Sequence, residues 1–149
     1  MSGRKLPALG ALIRWRDLAE TRAADAFRSS NDEVRRARQE SDSARGKAMD
    51  IQRRRGEMLS ATSIDPTRLQ YAADIEERAW SAALAHRAGL EAAEQARDAA
   101  QAAYVDARAQ TRVVEARHER LSAIECDRQE KASFDRMADL YAATRSTPR

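Results

Sequence analysis

Ser60-Ala61-Thr62-Ser63-Ile64-Asp65-Pro66-Thr67 is the one stretch that interrupts two long helical patterns, and it reads as the bend of a hairpin. An aspartate side chain can accept from the free backbone N–H groups of a first helical turn, and proline, which has no N–H, suits the first helical position. A second helix is therefore predicted to start at Pro66. Upstream, Gly56 and the Ser/Thr cluster at 60–63 offer the backbone local alternatives to helix, so the first helix is predicted to finish near Leu59. The expected organisation is a helix over about 8–59, a bend over 60–65, a helix over about 66–143, and tails at 1–6 and 144–149. That is an all-α fold, a two-helix antiparallel coiled-coil hairpin with a longer second helix.

Composition agrees with this reading. Two Phe, three Tyr and two Trp in 149 residues, with 34% charged residues, do not supply the apolar bulk of a globular core, and the hydrophobic fraction is mostly alanine. The three prolines stand at positions 7, 66 and 148, where they punctuate the ends and the bend without interrupting either arm. No run of about 18 apolar residues exists, which excludes a transmembrane helix, and the apolar segment of a secretory signal is missing, so a cytosolic protein is expected. Cys126 has no second cysteine to pair with, and its neighbours Glu125 and Asp127 disfavour a thiolate, so it reads as an inert thiol. Charge is uneven: residues 1–60 carry fourteen Lys/Arg against nine Asp/Glu, and residues 61–149 carry thirteen against fifteen.

Spacings of three and four pick out a seam on each arm. On the first it runs Leu12, Trp15, Ala19, Ala23, Ala26, Ser30, Val34, Ala37, Ser41, Ala44, Ala48, Ile51, Arg55 and Met58. On the second it runs Ile75, Ala79, Ala83, His86, Leu90, Ala93, Arg97, Ala100, Tyr104, Ala107, Thr111, Val114, His118 and Leu121. Small seam residues cost no side-chain entropy and let helices approach closely. If residue 60 lies beside residue 67, Ala8 falls opposite roughly residue 119. Residues from Arg120 to Ala143 should then overhang by about 35–40 Å at 1.5 Å per residue. Leu121, Ile124, Phe134, Met137, Leu140 and Tyr141 fall in that overhang, a face that calls for another chain.

Chemistry-bearing motifs are missing. The chain has no phosphate-binding glycine loop, no HExxH and no cysteine pair, and its two histidines lie 32 residues apart, so a non-enzymatic protein without metal or cofactor is expected. His86 and His118 read as polar seam residues rather than metal ligands. Arg35-Arg36-Arg38 and Arg53-Arg54-Arg55 lack interleaved aromatics and are flanked by acids, so they read as solvated helix faces, and no nucleic-acid partner is expected.

The run Leu9-Gly10-Ala11-Leu12-Ile13-Arg14-Trp15-Arg16-Asp17-Leu18-Ala19-Glu20, followed by Asp25-Ala26, resembles the opening of the FliJ/YscO family. Members of that family are the central stalk proteins of flagellar and injectisome type III secretion ATPases. Arg117-His118-Glu119-Arg120, then Asp127-Arg128-Gln129-Glu130-Lys131, with Phe134-Asp135 and Ala138, resemble that family's C-terminal pattern. Length, bend position and the longer second arm fit as well, so the resemblance covers nearly the whole chain.

This resemblance implies a hairpin like the γ subunit of rotary ATPases. Its paired termini would enter a hexameric type III secretion ATPase, the other end would face the export gate protein at the inner membrane, and export chaperones would be further partners. The protein would then be cytoplasmic, peripheral to the secretion apparatus, with no direct membrane insertion. ATPase contacts would fall on Leu12, Trp15, Leu18, Arg128, Phe134, Met137, Leu140 and Tyr141, with Leu12 and Trp15 shared with the seam. Gate contacts would fall on Ala48, Ile51, Arg55, Ile75, Ala79, Ala82 and His86. The last region lacks the large aromatics of the flagellar branch, which points to an injectisome member. Two other readings compete: a stand-alone coiled-coil tether, which would show matched arms and no bulky overhang, and a basic nucleic-acid-binding helical hairpin, which would show a continuous basic stripe.

Overall fold

The structure, a computed structural model, describes residues 5–145. Two helices pack against each other, α1 (Lys5–Leu59) and α2 (Pro66–Arg145), and there is no strand among the described residues. The chain is an all-α helical hairpin with the longer helix second. The expected tail residues 1–4 and 146–149 lie outside the described residues, whereas 5–6 and 144–145 are helical.

Side chains close both helices at the bend. The Ser60 N–H donates to the Gly56 carbonyl at 3.2 Å, and its hydroxyl donates to the carbonyls of Gly56 or Glu57 at 3.0 and 3.1 Å, so these two carbonyls in the last turn of α1 have partners. At the start of α2, Asp65 Oδ1 accepts from the Thr67 and Arg68 N–H groups at 3.0 and 3.4 Å, and the Asp65 carbonyl accepts from the Leu69 N–H at 3.0 Å. A cap of this kind contributes about 1 kcal/mol. No described residue has a positive φ, so the turn needs no glycine at its apex.

The seam obeys a seven-residue period on each helix. On α1, Leu6, Ile13, Glu20, Phe27, Val34, Ser41, Ala48 and Arg55 form one row, and Leu9, Arg16, Ala23, Ser30, Ala37, Ala44, Ile51 and Met58 form the other. All sixteen are buried or half-buried, which fixes the heptad register of the helix. On α2 the rows are Leu69, Glu76, Ala83, Leu90, Arg97, Tyr104, Thr111, His118 and Glu125, and Ala72, Ala79, His86, Ala93, Ala100, Ala107, Val114 and Leu121; only His86 among them is exposed.

This register corrects the start of the α1 pattern. Ile13, Arg16 and Phe27 hold the seam, while Leu12, Trp15 and Ala26 are exposed. A polar residue is tolerated there because it finds a partner: the Arg16 guanidinium donates to Gln110 Oε1 and stacks on the Trp15 ring at 4.8 Å. On α2, Glu76 takes a seam position beside Ile75 because Arg55 donates to it at 2.8 Å.

Two compact units can be distinguished, Ala23–Tyr104 around the bend, and Met1–Arg22 with Val105–Arg149. In the bend half, Ala48 is wholly buried and Ala83 nearly so, and Phe27 stacks on Tyr104 with ring centroids 6.3 Å apart. Arg38 and Glu94 bridge the two helices at 3.1 Å. In the terminal half, Thr111 is buried, its hydroxyl donating to the Ala107 carbonyl at 3.1 Å.

Candidate functional site

With the heptad register known, the faces that point away from the seam can be read directly, since residues half a turn away lie on the opposite side of a helix. In the bend half the outer face of α1 runs Asp25, Ser29, Asp32, Arg36, Gln39, Ser43, Gly46, Asp50, Arg53 and Glu57. Its charges pair along the helix: Arg28 with Asp25, Arg35 with Asp32, Arg53 with Asp50 and Glu57. Hydrogen bonding to Asp50, followed by the charge of Glu57, holds Arg53 above its ordinary pKa. Such a face is satisfied by itself and by water.

The terminal half differs. On α1 its outer face carries Trp15 and Leu18, 58% and 49% exposed, with Leu12 at the seam's edge, 37% exposed. On α2, Leu121 and Glu125 remain half-buried, so the overhang starts after Glu125, later than the arm lengths suggested. Beyond that point the seam positions turn polar: Arg128, Asp135 and Asp139 follow, with Ala132 the one half-buried residue. Apolar bulk moves instead to the other side. Phe134 and Met137 lie nine residues beyond Glu125 and Arg128, about two and a half turns, so they project from the face opposite the seam. Phe134, Met137, Leu140 and Tyr141 are 61–74% exposed.

Of the ATPase-facing residues expected from sequence, the structure gathers Phe134, Met137 and Tyr141 into one stripe with Leu140 at its edge. It sets Trp15 and Leu18 on the outer face of α1. Leu12 and Trp15 do not serve the seam. Arg128 lies on the polar face, not among the apolar residues.

The gate-facing set divides. Ile51, Ala79, Ala82 and His86 line one groove of about 510 Å³ in the bend half, together with Glu40 and Lys47. His86 Nδ1 stands 3.7 Å from Glu40 Oε2, an ion pair only when the imidazole is protonated. Ala48 has no accessible surface to offer, and Arg55 is committed to Glu76. Ile75 lies elsewhere, in an almost wholly apolar groove beside the bend lined by Met58, Arg68, Tyr71 and Ala72. Tyr71, 67% exposed there, is not marked by the sequence pattern, because a lone aromatic near a helix start carries no periodic signal.

Among the described residues no group of three His, Cys, Asp or Glu is placed to hold a metal ion, and no helix is long and apolar enough to cross a membrane. Cys126 is exposed at the root of the overhang. Compared with known proteins, the chain matches no family model, no curated protein and no solved structure.

Proposed function

We propose that the chain is a non-enzymatic stalk protein of a type III secretion system, of the FliJ/YscO kind. Its terminal half inserts into the hexameric export ATPase and its bend half meets the export gate and export chaperones on the cytoplasmic side of the inner membrane. One observation carries this reading: outward-facing apolar bulk is concentrated in the terminal half, on faces of both helices that their own seam cannot cover. A tether held only by its seam has no use for Phe134, Met137 and Tyr141 on the far side of α2. Exposed aromatic and long aliphatic side chains are the residues that dominate interface energies when a partner buries them. Arg14 and Arg136, next in sequence to Trp15 and Met137, and Arg128 on the polar face suit steering towards acidic groups lining a ring more than adding affinity. A nucleic-acid role gains nothing from the structure, because the arginine runs of α1 are interleaved with acids that pair with them.

The test compares two double variants against the cognate secretion ATPase. Phe134→Ala with Leu140→Ala should weaken ring binding by roughly 10-fold or more and abolish stimulation of hydrolysis, with helicity by circular dichroism unchanged. Ile51→Ala with Ile75→Ala should leave ring binding intact and impair secretion. The reverse pattern would invert the stalk, and no effect of either pair on binding would remove the ring from the account.

A further inference from the structure

A second groove in the bend half, about 500 Å³, is lined by Ser41, Asp42, Arg45, Trp80, Leu84 and Arg87, with Ala83 and Leu90. It does not include the residues of the gate-facing groove, and the stalk reading makes no use of it. Two of its properties are unusual for a surface formed only by the packing of two helices.

Its apolar part is large and uncovered. Leu84 is 65% exposed and lies one turn from half-buried Trp80. Seam residues Ala48 and Ala83 are small and buried at this level, so the helices approach closely and leave a shallow channel beside them.

Its charges are mismatched across the hairpin. Arg38 and Glu94, flanking the seam on the same side, bridge the helices at 3.1 Å. One heptad further towards the bend, the equivalent positions are Arg45 and Arg87, two cations where the pattern calls for opposite charges. Arg87 turns to Glu91 on its own helix at 3.2 Å. Arg45 has no ion pair among the described residues, and Asp42, one turn before it, does not bridge to it. Like charges in such positions cost stability, and a carboxylate supplied from outside would remove that cost.

We infer that this groove docks an amphipathic helix of a partner protein, seating its apolar stripe on Trp80 and Leu84 and a carboxylate between Arg45 and Arg87. The aromatic anchor supplies buried area, and the arginine pair sets polarity and register, rejecting helices with a basic residue at that point.

The experiment uses the full chain carrying Trp15→Phe, which leaves Trp80 as the only tryptophan. Two lactam-bridged helical peptides of about 18 residues, long enough to hold several turns, serve as probes. Both carry leucines at spacings of three and four; one carries a glutamate beside that stripe and the other a lysine at the same place. The glutamate peptide should shift Trp80 emission to the blue and bind roughly 10-fold tighter than the lysine peptide. Arg45→Glu with Arg87→Glu should invert that preference, and Leu84→Ala should weaken both peptides at unchanged helicity. Arg45→Glu alone should raise the melting temperature of the free chain while lowering capture of the glutamate peptide, because it recreates the Arg38–Glu94 type of pair. Equal affinity for both peptides, binding of neither, or an unchanged melting temperature for Arg45→Glu would overturn the proposal. So would a concentration-dependent dimer abolished by Leu84→Asp, which would assign the groove to a second copy of the chain.

Discussion

The bend half and the terminal half share one heptad grammar and use their outer faces in opposite ways. Around the bend, α1 turns polar residues outward and pairs its charges along its own length, while the cross-helix pairs Arg38–Glu94 and Arg55–Glu76 join it to α2. Towards the termini, α1 turns Trp15 and Leu18 outward and α2 turns out Phe134, Met137 and Tyr141. Intramolecular pairing accounts for the outward charges of α1 in the first arrangement. It does not account for the second, and that contrast, more than any single residue, is what the stalk proposal rests on.

The sharpest way to break this comparison is to make one substitution in both halves. Phe27 is half-buried and stacked on Tyr104, whereas Phe134 is 66% exposed. Phe27→Ala should cost about 2–3 kcal/mol in urea unfolding, less than a fully buried phenylalanine, and Phe134→Ala should stay within about 0.5 kcal/mol. Equal costs would mean that the overhang is packed after all.

A finer test removes, in each half, the acceptor of a seam arginine. Glu76→Ala leaves the Arg55 guanidinium, whose Nε is already buried without a partner, without the carboxylate it donates to, and should cost about 1–2 kcal/mol because Arg55 is still partly open to water. Gln110→Ala removes only a neutral acceptor from Arg16 and should cost less than about 1 kcal/mol. Smallest is a gain. A methyl group added at Gly46 meets nothing within 4 Å, so Gly46→Ala should stabilise the hairpin by about 0.5–1 kcal/mol and raise its melting temperature. A loss instead would show that the outer face of α1 is less free than its polarity implies.

Much of this fold is legible in the sequence, and the illegible parts have definite causes. The bend is readable because Asp65 and Pro66 each have a positional preference at a helix start, and the α2 seam from Ala79 to Leu121 is readable because spacings of four and three alternate there without a break. Upstream of Ser30 the pattern misleads. A reader following bulk chooses Leu12 and Trp15, while the seven-residue period takes Ile13 and Arg16 and gives the arginine Gln110 as an acceptor. Glu76 is hidden for the same reason: its seam position makes sense only once Arg55 is known to face it. Of the candidate sites, the bulk of Phe134, Met137, Leu140 and Tyr141 is visible in the sequence. Its placement on the face opposite the seam is not, because that depends on where the register stands at Glu125. The opposed arginines at 45 and 87 are invisible to any single-helix pattern, since they exist only as a relation between two helices.

The unbroken heptad also constrains how such a chain can change length. Inserting or deleting residues inside the paired region would rotate every later seam position out of line, unless the change comes in sevens and is matched on the facing helix. Past Glu125 that restriction lapses, because no seam has to be kept in phase there. The overhang can therefore lengthen, shorten or turn its apolar stripe by single residues, roughly a quarter of a turn at each step, without disturbing the packed hairpin. In a lineage of such proteins, matched heptad blocks would separate the bend from the packed termini, and the overhang would follow the shape of whatever it grips.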